Sequence, residues 1–434
     1  MTRPADPSRR LFLASAVSLV LARSHSALAA PSTVTVVTSY PDEFVSRIQA
    51  AFEKTRPEYR MQVIWRMPND AYDTLSQPDQ GQTDVYWSAS PRSFARLAAS
   101  GAWRRLPIDH HQLPRRIGNT RLGDTEGFYT ATEVAGFGFA VAPQALAALG
   151  IPMPSDWPDL ADPRLSGQIA MPVPSRVGFA PPIVEIVLQT LGWERGWALW
   201  SEIAANARFI ERGSTFVTDE ITSGRCAVGI SIDFFVNSAI ANRAPIHFVY
   251  PKHTGLNPAH IAVTRQAPNP RGAAAFVDFI LSPAGQRLLA HPDIRRLAVR
   301  PEAYAGAPAG SFDPFIAARL GGLQFDSDAA RPRLTTTAAI FQHMLVDAQD
   351  ELKTLWQRTR QAEAVGKDTR PVRTLLGRPP VDEATANQAE IQQQIGPRLE
   401  GSSERPPSSL ELTWRDICHD RRAQARRQLD EIGA

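Results

Sequence analysis

The alternation of apolar and polar positions defines the elements. Residues 33–38 read Thr-Val-Thr-Val-Val-Thr, a β-branched run that predicts a strand ending in a loop over 38–42. Phe44, Ile48 and Phe52 then fall four apart, the spacing of one helix face. A short strand around 61–65, a polar linker over 68–82 and a second strand-to-loop step at 84–91 follow. The middle of the chain repeats this pattern. Apolar strands are expected at 136–142 and 169–172, and an apolar helix at 181–191 opens on two prolines in its first turn. A Trp-rich stretch at 193–200 reads as core packing, and strands follow at 224–232, 248–251 and 259–264. A helix over 272–281 ends at Ser282-Pro283, where Ser282 can cap the helix that runs on to 290. Strands alternating with helices predict a layered α/β architecture. About 270 residues of it exceed one compact core and suit two lobes.

Beyond about residue 305 the pattern changes. Phe341, Met344, Leu345, Ala348, Leu352, Leu355 and Trp356 mark one face of a helix over 335–364, and that stripe must be buried. The Pro-, Ser-, Gly- and charge-rich segment 396–409 predicts a flexible loop before a charged helix over 410–432. Its basic run, Arg421, Arg422, Arg426 and Arg427, reads as a solvated face balanced by nearby acids, with contact to a membrane-protein partner as the alternative. The expected role of this region is a helical cover on one lobe, against a partner-docking arm.

Composition narrows the function. An apolar content of 43% with two cysteines excludes a disordered or disulfide-dense chain. The formal charge of +3 comes from Arg3, Arg9, Arg10 and Arg23 against Asp6, so the chain after residue 29 is neutral. It therefore has no global field to hold nucleic acid. Ser8-Arg9-Arg10-Leu11-Phe12-Leu13 opens an apolar run to 22, followed by the small-x-small site Ala27-Leu28-Ala29. About twelve residues are too few to span a bilayer. The paired arginines match a twin-arginine signal, with an uncleaved anchor as the alternative. No other stretch approaches about 18 apolar residues, so the expectation is a soluble protein exported to the periplasm, where disulfides are permitted. Cys226 falls in a strand-like apolar run and Cys418 in a polar helix. The sequence does not bring them together, and no Cys or His spacing suits structural zinc.

Catalytic patterns are missing: there is no Gly-x-Ser-x-Gly elbow, Walker loop, His-Glu-x-x-His or dinucleotide glycine motif. His110-His111 reads as a solvated loop pair. No catalytic residue, metal site or cofactor is expected. Hydroxyl residues instead stand where strands end and helices begin: Thr38 and Ser39, Ser88 and Ser90, Ser175 before the helix at 181, and Ser214 and Thr215 before a helix containing Asp219. Helix starts attract anions, and short hydroxyls extend that donor array, although each could be an ordinary cap. Ligands of open α/β sheets bind beyond the carboxyl ends of strands. Arg66 and Arg176 could add a charge-assisted fork to a carboxylate or phosphate. Asp233, after the strand ending at 232, would suit an amine or hydroxyl donor, or cap the helix that follows. A small anionic solute is the expected ligand.

Over residues 33–303 the chain resembles the bacterial extracellular solute-binding proteins that serve ABC importers, a two-lobed group that includes ferric-ion binders. The resemblance rests on Pro154-Ser155-Asp156-Trp157-Pro158-Asp159-Leu160-Ala161-Asp162-Pro163 leading to Leu165-Ser166-Gly167, on Phe248-Val249-Tyr250-Pro251 with Asn257-Pro258-Ala259, and on Ala267-Pro268-Asn269-Pro270 with the run from Phe276 to Gln286. It implies an α/β, two-lobed periplasmic binding protein fold of type 2 with a hinge, extended here by C-terminal helices. The expected division is a signal at 1–29, a first lobe at 30–135 completed by about 246–290, a second lobe at 136–245 and the extension at 291–434. Ferric binders carry adjacent tyrosines after the strand that ends here at Ile232, but this chain has Phe234-Phe235, which cannot ligate Fe(III). A branch concerned with phosphoglycerate transport is similar through Thr38-Ser39, Ser90-Pro91, Gly136-Phe137-Gly138, Pro174-Ser175-Arg176 and Ile232-Asp233. That likeness implies a phosphorylated or carboxylated three-carbon solute and a membrane partner, either an ABC transporter permease or a sensor kinase. A phosphoester hydrolase is the competing enzyme reading, and it needs a metal or nucleophile that the sequence does not offer.

Overall fold

The computed structural model describes residues 30–109, 112–211, 215–308, 310–395 and 406–433. The export segment, His110-His111, Ser214 and most of the 396–409 loop lie outside them.

Among the described residues, eleven strands join in one sheet whose two halves belong to different lobes, and Arg116–Ile117 with Thr120–Arg121 forms a separate pair. In the first lobe Ser32–Thr38 lies parallel to both Tyr59–Trp65 and Val85–Ser88. Leu256–Thr264 runs antiparallel to Val85–Ser88 on one side and to Tyr129–Val141 on the other. The helix Asp42–Thr55 buries Phe44, Ile48 and Phe52, and with Trp87 and Phe276 these rings form an edge-to-face core. In the second lobe Val228–Ile232 runs antiparallel to Tyr129–Val141 and parallel to Ile169–Pro172, which pairs in parallel with Ala207–Ile210.

One strand therefore serves both lobes. Within Tyr129–Val141, residues up to Gly136 pair with Leu256–Thr264, whereas Phe137 onward pairs with Val228–Ile232. The chain returns between His247–Val249, still paired in the second lobe, and Leu256. The crossing needs Gly136, because a Cβ there would lie 2.5 Å from the Tyr250 ring.

The polar linker expected over 68–82 is partly helical. Pro68–Leu75 begins with proline in its first turn and buries Ala71 and Leu75, four apart on one face. Past the boundary expected at 291, the chain is still paired with the first lobe. Leu297–Ala298 adds a strand against Val134 and Glu133 of the first lobe, and the chain then runs along the hinge. There Phe312 stacks on Tyr250 at 3.8 Å, Leu323 O accepts from Asn119 N, and Gly322 O accepts from Thr254 N.

The C-terminal helices cover the second lobe. Phe341, Leu345, Leu355, Trp356, Leu376, Cys418 and Leu429 share a core with Trp197 and Trp200 of the Trp193–Asn206 helix. Trp356 Nε1 donates to Ser201 Oγ at 3.0 Å. The single helix expected over 335–364 is broken: Leu334–Phe341 passes through a π-turn at Gln342–Val346, and Ala348 leaves helical geometry before Gln349–Ala364. The last helix, Ser409–Glu431, starts in a capping box of Ser408 with Glu411. Its basic run is less solvated than expected. Arg422 and Arg426 both bind Glu351, and Arg421 donates to the carbonyls of Arg378 and Pro379, so three of the four arginines fasten this helix to its neighbours while Arg427 is exposed. Cys226 and Cys418 are free, buried thiols in separate clusters.

An ionic link ties the cover to the lobe. Arg333 meets Glu185 at 2.7 Å, with side chains 9% and 0% exposed, and meets Glu383 at 2.7 Å. Breaking a buried pair strands the remaining charge, whereas replacing both partners with apolar groups removes the charge altogether. Arg333→Met is expected to lower unfolding free energy by about 3–5 kcal/mol in urea denaturation. The double variant Glu185→Leu/Arg333→Met is expected to recover most of that loss.

Candidate functional site

A cleft of about 690 Å³ opens between the lobes. From the first lobe it is lined by Ser90, Arg92, Ser93 and Arg96 at the start of the Pro91–Ala99 helix, and by Arg121 and Asp124. From the second lobe come Ser175, Arg176 and Phe179, which precede Ala180–Leu191, and Phe234 and Phe235. Asn257 and His260 line it from the return strand.

Its charge is strongly positive. Arg92, Arg96, Arg121, Arg176 and Arg331 face two carboxylates, Asp124 and Asp328. Neither acid is uncommitted: Asp124 accepts from the backbone N–H of Glu126 and Phe128, and Asp328 holds Arg121 at 2.8 Å and Arg331 at 2.7 Å. The Arg96 guanidinium lies 3.9 Å from the Tyr72 ring centre, which fixes its position without neutralising it. The imidazole of His260 is 3% exposed and packs against Phe94 and Tyr129. Burial, reinforced by Arg331, drives its pKa down to about 3. It is therefore neutral at physiological pH, and its Nδ1 has no hydrogen-bond partner among the described residues.

This two-lobed frame with its central cleft coincides with a recognised family: the profile described as bacterial extracellular solute-binding protein matches residues 83–307. The chain belongs to that family. This solute-binding protein is 31% identical over 284 residues to the phosphoglycerate transport regulatory protein of Salmonella typhimurium, a match covering 63% of this chain and 66% of that one. It is also 31% identical over 220 residues to an uncharacterized protein of Haemophilus influenzae, covering 49% of this chain and 62% of that one. The chain thus spans slightly less than two thirds of these curated relatives. Among solved structures it is similar to the periplasmic binding protein AfuA of Actinobacillus pleuropneumoniae with exogenous fructose-6-phosphate bound, at 19% identity and a TM-score of 0.54, covering 71% of this chain and 98% of that one. Iron-bound HitA from Pseudomonas aeruginosa is similar at 17% identity and a TM-score of 0.55, covering 71% of this chain and 99% of that one. Among the described residues no helix is long and apolar enough to cross a membrane.

The residues singled out in the sequence divide into groups. Ser90, Ser175 and Arg176 line the cleft of this solute-binding protein. Ser90 Oγ is shared with Ser93 Oγ at 2.8 Å, and Ser175 Oγ donates to Gln342 Oε1 of the C-terminal cover at 2.6 Å. Thr38, Ser39, Ser88 and Arg66 gather at the carboxyl ends of the parallel strands without lining the cleft. Thr38 Oγ1 accepts from Tyr40 N, Ser39 and Ser88 share a hydrogen bond at 2.9 Å, and Arg66 N donates to Thr38 O. Thr215 opens a helix whose Val217 and Ile221 pack beneath the second-lobe sheet. Phe234 and Phe235, with centroids 4.0 Å apart, offer the cleft only carbon.

Asp233 opens the helix Asp233–Ala241 and does not line the cleft. Its Oδ2 accepts from Gly136 N at 2.7 Å and from the Tyr250 hydroxyl at 2.9 Å, so it joins both crossings to the helix that it begins. The sequence reading missed Arg92 and Arg96, although their spacing of four behind Ser90-Pro91 places both on one face of the new helix. His260 carried no signal within a nine-residue apolar strand.

Burial raises the Asp233 pKa from 3.8 to about 6, against the hydrogen bond from Gly136 N and the field of Arg296. Between about pH 4 and about 6 the folded chain keeps a proton that the unfolded chain has lost, so this group's contribution to stability falls as pH rises through that window and is flat above it. In denaturation titrations across pH 4–7, Asp233→Asn is expected to remove a fall on the order of 3 kcal/mol.

Proposed function

We propose that this protein is a periplasmic carrier, exported by the twin-arginine route, that captures a small anionic organic solute of the phosphoglycerate type and delivers it to an ABC transporter permease. The observation that carries the reading is the charge of the cleft: five arginines drawn from both lobes and the C-terminal cover face two carboxylates that already have partners. Such an array rewards phosphate and carboxylate oxygens through charge-assisted bonds. The paired rings of Phe234 and Phe235 suit the carbon skeleton of an organic solute better than Fe(III), which requires oxygen ligands. The name of the Salmonella relative supports a phosphoglycerate-like solute, and the sugar phosphate bound by AfuA is an ester of the same charged group. No chemistry is required of the site; closure of the lobes over the solute is the functional event.

A second reading, ligand sensing for a membrane two-component system, is favoured by one specific path. Ser175 on the cleft wall donates to Gln342, Gln342 donates to Asp347, and Asp347 holds His343, which faces Glu411 of the last helix. That path gives the cover a means of registering an occupied cleft.

Thermal-shift measurements on residues 30–434 with 3-phosphoglycerate, phosphoenolpyruvate, glycerol 3-phosphate, citrate and ferric citrate test the first reading. A solute present at about 100 times its Kd adds roughly 2.7 kcal/mol to the folded state. The expected result is a rise in Tm with the organophosphates and none with ferric citrate, and a tenfold or greater loss of affinity in Arg96→Ala and Arg176→Ala. A rise with none of these anions would sink the proposal.

A further inference from the structure

The cleft has a wall that neither lobe supplies. The family match ends at residue 307, and the AfuA and HitA structures, almost wholly covered themselves, leave more than a quarter of this chain unmatched. Yet Ser327, Asp328, Arg331 and Thr335 line the same cleft as the arginines of the lobes. They belong to one compact run: the short helix Ser327–Ala330, the 3₁₀ turn Arg331–Arg333 and the start of Leu334–Phe341.

The run is fixed at both ends of its cleft-facing stretch. Arg333 is locked to buried Glu185 of the second lobe, and Asp328 binds Arg121 of the first. Between these anchors Arg331 keeps one edge on Asp328 and leaves its side chain 48% exposed. One carboxylate against two guanidinium groups leaves this trio with a net positive charge. Arg92 and Arg96 form a separate positive pole at the start of the Pro91–Ala99 helix. Opposite this run, His260 lines the cleft from the return strand, and its buried Nδ1 has no hydrogen-bond partner among the described residues.

We infer that the segment 327–338 is a third wall of the solute site and that Arg331 receives the second acidic group of a solute bearing two, so that the cover selects doubly acidic organophosphates over singly acidic ones. This inference rests on the anionic-solute reading above. Charge-assisted bonds from an arginine to a carboxylate carry both energy and geometry, so losing one costs affinity only for a solute that reaches it.

The test is isothermal titration of the parent protein, Arg331→Gln and Arg331→Lys with 3-phosphoglycerate, which carries phosphate and carboxylate, and with glycerol 3-phosphate, which carries phosphate alone. Arg331→Gln is expected to weaken 3-phosphoglycerate by about 10- to 100-fold and to leave glycerol 3-phosphate within about threefold. Arg331→Lys should restore part of the loss, because it returns the charge without the fork. Equal losses for both probes in Arg331→Gln, with an unchanged ligand-free Tm, overturn the selective role, as does no loss for either. A parent that binds neither probe overturns the anionic-solute reading itself, which differs from a parent that binds both while Arg331→Gln changes nothing.

Discussion

Gly136 stands where the chain leaves one lobe for the other, and its N–H is held by a buried carboxylate that belongs to the first residue of a second-lobe helix. The geometry of the molecule follows from that bond. Asp233 also receives the Tyr250 hydroxyl from the returning chain, so outgoing strand, returning segment and helix meet at one side chain. The carboxylate is fully enclosed and has no ion-pair partner in contact among the described residues, which is why it holds its proton more tightly than an exposed acid does. A charged group could have anchored the junction more strongly only with a buried counter-charge, and such pairs gain little after desolvation. The chosen arrangement, a weakly acidic oxygen between an amide and a phenol, keeps the junction definite without fixing it in one position.

The cleft shows the complementary strategy. Its arginines are held in place by aromatic or carboxylate neighbours: Tyr72 for Arg96, Asp328 for Arg121 and Arg331. Preorganisation of this kind lowers the ordering cost that a flexible cation would exact on binding. His260 complements these groups from beneath, neutral because it is buried among rings beside cationic Arg331.

The lobes were legible in the sequence because each obeys local rules. The β-branched run before Thr38, the Phe44, Ile48 and Phe52 spacing, the helix start at Ser90-Pro91 and the apolar helix expected from 181 all sit where strand and helix patterns put them. Other features depend on partners distant in the chain. Arg331 reaches the cleft only because Arg333, two residues on, finds Glu185 some 150 positions earlier in the chain. Asp233 reads as a helix cap or a ligand until Gly136 is seen beside it. The helix over 335–364 had a continuous apolar stripe, yet the stripe bends at the π-turn because two different surfaces of the second lobe must be covered. Arg421, Arg422 and Arg426 looked like a wet face because the residues that receive them, Glu351, Arg378 and Pro379, lie on other elements.

The run along the hinge from Phe312 to Leu323 gives the junction a third thickness of chain. Phe312 lies flat on Tyr250, Leu323 is threaded beneath Asn119, and Gly322 grips Thr254. A joint of two strands bends like a pair of cords, with twist and splay almost equally easy. A laminated joint bends about one axis and resists the others, as a leaf spring does. The C-terminal cover packs on the second lobe while its Asp328 also binds Arg121 of the first, so any change in the angle between the lobes has to pass through that ion pair.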